Sequence, residues 1–383
     1  MITLLKNCDL YAPQSCGLND ILIAGEKIEA VAPAGSRFSG ISSSPEVEVR
    51  DLKGKKVTPG LIDIHVHVTG GGGEQGFASR VPESRMEDIA ATGVTTVLGL
   101  LGTDGVTRSL ENLYAKVMAL NEEGISAYML TGSYALPSTT LTGSVERDIA
   151  LIGPCIGLKL AMSDHRSSHP DGRMLTDAAS AARMGGLISG KKGLVTIHTG
   201  NGEGKLSPVF EMLRHSDVPI GNILPTHMGR NRSLFEDGLE LIRMGGNIDL
   251  TGSEGGEASD WIFSAIEKGI DCSHITLSSD GYGSQPKFDE TGVCIGLTWS
   301  KTDVLLCELK KMTGAGLPLS TALSFVTENA AARLGLESRK GRIAAGMDAD
   351  LTVMDEDLEI FGVIARGTIL RWDHAAVRKG YFS

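Results

Sequence analysis

Nowhere in this sequence do lysines and arginines run together beyond pairs such as Lys55-Lys56 and Lys191-Lys192. With 36 basic against 47 acidic side chains the formal charge is −11, the wrong balance for gripping nucleic acid or an anionic membrane surface. No stretch approaches the roughly 20 apolar residues of a membrane-spanning helix. The start, Met1 to Asp9, lacks the basic segment followed by a long apolar one that marks a secretory leader. Cysteine is also sparse. Cys8, Cys16, Cys155, Cys272, Cys294 and Cys307 are scattered without a CxxC pair, which suits reduced thiols rather than a disulfide framework. Together these absences point to a cytoplasmic protein.

The chain does have the means to bury a core. Hydrophobic residues make up 41% and charged residues 22% of its 383 positions, so disorder is excluded. That length exceeds what one simple core supports, so a large barrel or two domains is expected. Residues 1–58 read as short strands, at 20–24, 27–32 and 47–51, across a Ser/Gly/Pro-rich link. From Leu61 onward β-rich apolar runs alternate with helical patterns. The strands are expected at 61–67, 94–100, 125–131, 155–160, 194–198, 222–227, 247–251 and 275–280. The helices between them are expected at 83–92, 108–123, 176–189, 206–214, 234–243 and 259–268, with two more at 301–312 and 319–334. Eight such units make a (β/α)8 TIM barrel. A last β-rich stretch at 350–354, 358–365 and 368–371 joins the first residues in one small β domain. The division reads 1–58 and 344–383 for the small domain and 59–343 for the barrel.

His65 and His67 alternate on the first barrel strand and point one way, just before the Gly70–Gly73 cluster. Alone, the pair is read equally well as packed histidines or as metal ligands. His198 ends the fifth strand, His227 the sixth and Asp280 the eighth, and in a barrel those ends converge on one face. Imidazoles and carboxylates in such a cluster suit zinc and similar divalent ions. Lys159, inside the apolar run Cys155-Ile-Gly-Leu-Lys-Leu-Ala161, is costly to bury as a cation. It either snorkels to the rim or loses its proton, takes up CO2 and bridges two metals as a carbamate. The neighbouring His/Asp set favours the carbamate.

His65-Val-His67, Lys159, His198, His227 and Asp280, in that order, resemble the ligand set of the binuclear amidohydrolase superfamily. Val57-Thr-Pro-Gly-Leu-Ile-Asp63 resembles its entry into the barrel, and Lys340-Gly-Arg-Ile-Ala-Ala-Gly-Met-Asp-Ala-Asp-Leu-Thr-Val-Met354 its return to a β-sandwich. Within it the chain is most similar to the bacterial isoaspartyl dipeptidase family, zinc-dependent enzymes that cleave β-linked Asp-X dipeptides. The marks are Gly71-Gly-Gly-Glu-Gln-Gly76, Thr131-Gly-Ser-Tyr134, Lys159-Leu-Ala-Met-Ser-Asp-His-Arg166, Thr226-His-Met-Gly-Arg230 and Ser279-Asp-Gly-Tyr-Gly-Ser284. Tyr282 departs from the small polar residue expected there, and either narrows the pocket or faces solvent.

The loop charges support the same substrate without the resemblance. Glu74 suits an ammonium, while Arg166 and Arg230 suit two carboxylates. Ser284, Thr103 and the Gly72 backbone add neutral donors. A β-aspartyl dipeptide carries one ammonium and two carboxylates, although each such charge taken singly is more often a solvated rim group. The resemblance implies two Zn2+ ions, one on His65, His67 and Asp280 and one on His198 and His227, bridged by carbamylated Lys159 and a hydroxide. It further implies attack of that hydroxide on the side-chain amide, Tyr134 stabilising the oxyanion and Asp280 acting as base and then acid. Four metal charges against carbamate, aspartate and hydroxide leave about one net positive charge, which lowers the pKa of bound water. Related enzymes are homo-oligomers, an octamer among the expected assemblies. The competing readings are a cyclic-amide hydrolase of the dihydroorotase or hydantoinase kind, and a non-catalytic scaffold.

Overall fold

A computed structural model describes residues 2–38, 40, 41, 44–288 and 294–381. The first five strands are β1 (Ile2–Tyr11), β2 (Ser15–Ala24), β3 (Lys27–Pro33), β4 (Val47–Asp51) and β5 (Lys56–Pro59). The next eight are β6 (Leu61–Val66), β7 (Val94–Gly99), β8 (Ser126–Gly132), β9 (Cys155–Met162), β10 (Leu194–Thr199), β11 (Ile223–Thr226), β12 (Ile248–Thr251) and β13 (Ile275–Ser278). An antiparallel pair, β14 (Ser284–Phe288) and β15 (Cys294–Trp299), precedes the closing strands β16 (Leu351–Met354), β17 (Ile360–Ala365), β18 (Thr368–Trp372) and β19 (Ala375–Ala376).

Strands β6 to β11 form a parallel sheet in sequence order, and β12 and β13 a parallel pair beside it. The Met228 amide donates to the Asp249 carbonyl across the gap between β11 and β12 (3.2 Å), and the His67 amide donates to Gly281 beyond β13 (2.8 Å). The sheet therefore curls until its last strand meets its first. Its strands are buried on both faces, as Val/Ile/Leu-rich parallel strands must be when helices cover them.

All eight expected strands are present, with His227 and Asp280 just past the ends of theirs. Several of the helices following these strands begin on local caps. Ser109, Asp171 and Asn231 accept from the amides of Asn112, Met174 and Leu234 at the starts of Leu110–Glu123, Gly172–Ser189 and Arg232–Arg243. The helix expected at 319–334 is two, Leu319–Ser324 and Glu328–Leu334. The helix Val145–Leu151 and the β14–β15 pair were not anticipated, because neither carries a long apolar period.

The chain ends meet in one sheet. Antiparallel pairing of β16 with β5, Val353 opposite Val57, makes one sheet of the first and last strands. Leu4, Leu22 and Phe38 pack on one side of it, and Leu5, Ile21 and Val353 on the other. Buried Lys340 ties this sheet to the curled one through Asp348 (3.0 Å), Asp350 and Ser126 (2.9 Å). The five cysteines with described side chains are free, and that of Cys294 lies outside the described set. Among the described residues no helix is long and apolar enough to cross a membrane.

Candidate active site

The ends of the parallel strands carry the candidate ligands. One ligand atom each from His65, His227 and Asp280 can be chosen so that all three lie within 4.8 Å of one another. The Asp280 carboxylate lies 3.1 Å from His67 Nε2 and 3.5 Å from His65 Nε2. Lys159, with no solvent exposure, brings Nζ to 3.2 Å from His65 Nε2. The rings of His65 and His227 are 5.1 Å apart and those of His198 and His227 4.6 Å. His227 and Asp280 adopt left-handed backbone, with φ of 63° and 51°. Such conformations are costly for residues with a Cβ and persist where surrounding structure imposes them.

Burial sets the protonation of this cluster. It pushes His65 and His227 well below their ordinary range, helped by positive charge around them, and takes His198 to about 3. It also lowers Lys159 to about 7, against the pull of Asp280 and Asp249. Burial raises the Asp280 carboxyl, but the His67 hydrogen bond and nearby positive charge outweigh it and hold the group low. Neutral imidazoles, an anionic carboxylate and a lysine that loses its proton readily are the states divalent metals require. The buried Nδ1 atoms of His65 and His67 have no partner among the described residues. The donor set therefore fits a divalent metal.

Outer groups orient the inner ones. Thr251 Oγ1 lies 2.7 Å from His227 Nδ1, turning Nε2 toward the cluster. His198 Nε2 faces Asp164 Oδ2 at 3.0 Å, while its Nδ1 lies 2.8 Å from the Tyr134 hydroxyl. With Nε2 donating to Asp164, the Tyr134 O–H donates to the lone pair that a metal on Nδ1 would use. Asp249 lies below, accepting from Thr226 (2.7 Å), Thr276 (2.8 Å) and Ser278 (2.6 Å), and burial raises it to about 6. None of Asp164, Thr251 and Asp249 was singled out from the sequence. Asp164 alone left a trace, two residues before Arg166.

All the expected substrate-contacting residues line one cavity over this cluster: Glu74, Gly72, Thr103, Arg166, Arg230 and Ser284, with Tyr134. Glu74 accepts from Ser284 Oγ at 2.8 Å and lies 3.5 Å from Arg166 Nη1. Arg166 grips Asp164 through two bonds of 2.9 and 2.8 Å, and Nη1 donates to Thr103 at 3.2 Å. The glycine loop is held by buried Arg108, which donates to Thr69, to Gly71 (3.2 Å) and to Val81 (2.7 Å). Gly72, at φ 79°, lies so close to the Ser79 carbonyl that a Cβ would sit 2.4 Å from it. Tyr282 neither narrows the cavity nor faces solvent: it is 5% exposed and stacks on Trp299 at 5.4 Å.

A crystal structure of beta-aspartyl dipeptidase from Fervidobacterium islandicum AW-1, in complex with beta-Asp-Leu dipeptide, is 42% identical to this chain, covers 100% of both and superposes with a TM-score of 0.92. The chain belongs to the β-aspartyl dipeptidase family. An amidohydrolase family model matches residues 310–370 of this family member. An adenine deaminase of Klebsiella pneumoniae (strain 342) is 26% identical over 351 residues, covering 88% of this chain but 50% of that protein. The β-aspartyl dipeptidase family chain thus spans about half the length of that curated relative. A D-hydantoinase, 18% identical with a TM-score of 0.69, shares the fold.

Proposed function

We propose that this protein is a metal-dependent β-aspartyl dipeptidase, acting in the cytoplasm as a homo-oligomer on small β-Asp-X substrates. The observation that carries this is the charge layout of one cavity. A carboxylate, Glu74, and two guanidiniums, Arg166 and Arg230, stand over the buried His/Lys/Asp cluster. On this reading the curled sheet is a complete (β/α)8 barrel over 59–343, with a β-sandwich from 1–58 and 344–383. Exposed Met184, Leu187 and Ile188 on one helix suit contact between subunits.

His65, His67 and Asp280 would hold one Zn2+ and His198 and His227 the other, with Lys159, carbamylated by CO2, between them. Bound there, the pair supplies Lewis acidity that activates water and polarises an amide carbonyl. Glu74, with Ser284, holds the substrate ammonium. Arg166, beside Thr103, and Arg230 hold the two carboxylates, bidentately where geometry allows. The Gly72 backbone closes the same end of the cavity. Tyr134, released from His198, donates to the oxygen on which negative charge develops. Asp280 takes the proton from the attacking water and returns it to the departing amine.

A substrate panel tests the reading. The metal-loaded protein should hydrolyse β-Asp-Leu and leave dihydroorotate and hydantoins intact. Turnover of the cyclic amides in preference to β-Asp-Leu would overturn it, and a protein that neither binds metal nor turns over any of them would be a scaffold.

A further inference from the structure

Beside the Glu74 cavity lies a second one, of about 460 Å³, whose lining includes Asp280 but not Glu74. The two cavities adjoin, sharing Arg230, Asp280 and Ser284 in their linings. The inner walls of the second are Leu250, Gly252, Ala258 and Trp261, whereas Asn201 and Glu257 sit exposed at its mouth. The indole of Trp261 packs on Phe235 with ring centres 4.7 Å apart. It also backs onto Gly229, where a Cβ would fall 2.7 Å from Trp261 Cδ1. Glycine at 229, between His227 and Arg230, thus leaves room for the indole wall. The facing turn is fixed by buried Glu308, which accepts from the amides of Ser253 (3.1 Å), Ala258 (3.1 Å) and Ser259 (2.8 Å). This space is preformed, as ligand pockets usually are.

We propose that this second cavity receives the side chain of the amino acid released by the reaction, and that Trp261 makes it selective for large apolar side chains. The proposal rests on the dipeptidase reading above. With the substrate ammonium at Glu74 and the scissile amide at Asp280, the leaving residue extends away from Glu74, into this space. Its side chain exchanges water for the face of the half-buried Trp261 indole. Burial of a leucine-sized group favours it by about 10–100-fold over glycine.

The test is kcat/KM of the metal-loaded protein on β-Asp-Gly, β-Asp-Leu and β-Asp-Phe, for the parent, Trp261→Ala and the better-filling Trp261→Leu. The parent should favour Leu and Phe over Gly by about 10–100-fold. Trp261→Ala should lose most of that ratio through the large substrates, with β-Asp-Gly nearly unchanged, and Trp261→Leu should fall between. Loss of rate on all three alike in both variants would mark Trp261 as merely structural, and a parent that does not discriminate would leave the cavity no such role. Either result overturns this proposal alone. Absence of hydrolysis of any β-linked peptide by the parent would overturn the dipeptidase reading and this proposal with it.

Discussion

At the floor of the cavity, His65, Lys159, His198 and His227 stand on or just past buried strands with almost no solvent contact, while at its rim Glu74, Arg166 and Arg230 come from loops that meet water. The floor gains its character from desolvation, which holds imidazoles and an amine in their neutral forms. The rim gains its character from pairing: Glu74, Arg166, Asp164, Ser284 and Thr103 bond to one another. Charge at the floor is therefore set by the protein interior, and charge at the rim can be shared with a ligand. Changes at the floor should abolish metal binding, and changes at the rim should weaken recognition while leaving metal in place.

The largest effect should come from Lys159→Ala. If Lys159 is the proposed carbamate bridge, its loss should cost more than the about 10–100-fold seen when an outer partner of a metal ligand is removed. Metal analysis should show the pair lost and activity lost with it, both partly restored by a small added carboxylic acid. Full activity with two metals in the unsupplemented variant would break the distinction between floor and rim.

Tyr134→Phe stands at the boundary. Removal of one oxyanion donor should cut kcat by about 10²–10³-fold with metal content and KM near those of the parent. A destabilised variant with normal kcat per folded molecule would make Tyr134 a packing residue instead.

At the rim, Glu74→Gln should cost β-Asp-Leu about 1.5–3 kcal/mol, the worth of a hydrogen bond to a charged group. N-acylated substrates, which have no ammonium, should lose much less. An equal loss for both would show that Glu74 serves Arg166 or Ser284 rather than the amine.

The last expectation concerns stability against pH. His198, lowered to about 3, and Lys159, lowered to about 7, both bind protons more weakly folded than unfolded. The unfolded chain then holds the extra protons, so stability rises with pH across both windows. For the metal-free protein, His198 should cost stability as pH falls below about 6.5, and Lys159 as it falls from about 10.5 toward 7. Melting curves of Lys159→Met should be flatter than the parent's between about pH 7 and 10, and unchanged curvature there would place the amine in a wetter site.

The same contrast explains what could be read in the sequence. Apolar β-rich runs recur at the spacing of βα units, and a histidine, lysine or aspartate at the end of such a run is conspicuous, so all eight strands and the clustering of His65, His67, Lys159, His198, His227 and Asp280 were legible. Loop residues have no period, yet Glu74, Arg166 and Arg230, singled out for charges complementary to a dipeptide, do line one cavity. What stayed hidden are the partners: Thr251 on His227, Asp164 between Arg166 and His198, and Asp249 under its three hydroxyls. Each is an ordinary polar residue whose role exists only once distant strands are side by side. Tyr282 shows the opposite failing, since its position in a site motif hid the fact that its ring packs away from the cavity onto Trp299.

The central claim, a buried metal cluster serving a rim built for a β-linked aspartyl peptide, is tested most directly by incubating one sample with α-Asp-Leu and with β-Asp-Leu and measuring metal in that same sample. We expect close to two divalent ions per chain and cleavage of the β-linked peptide alone. Cleavage of the α-linked peptide at a comparable rate, or turnover by a sample that contains no metal, would contradict the account.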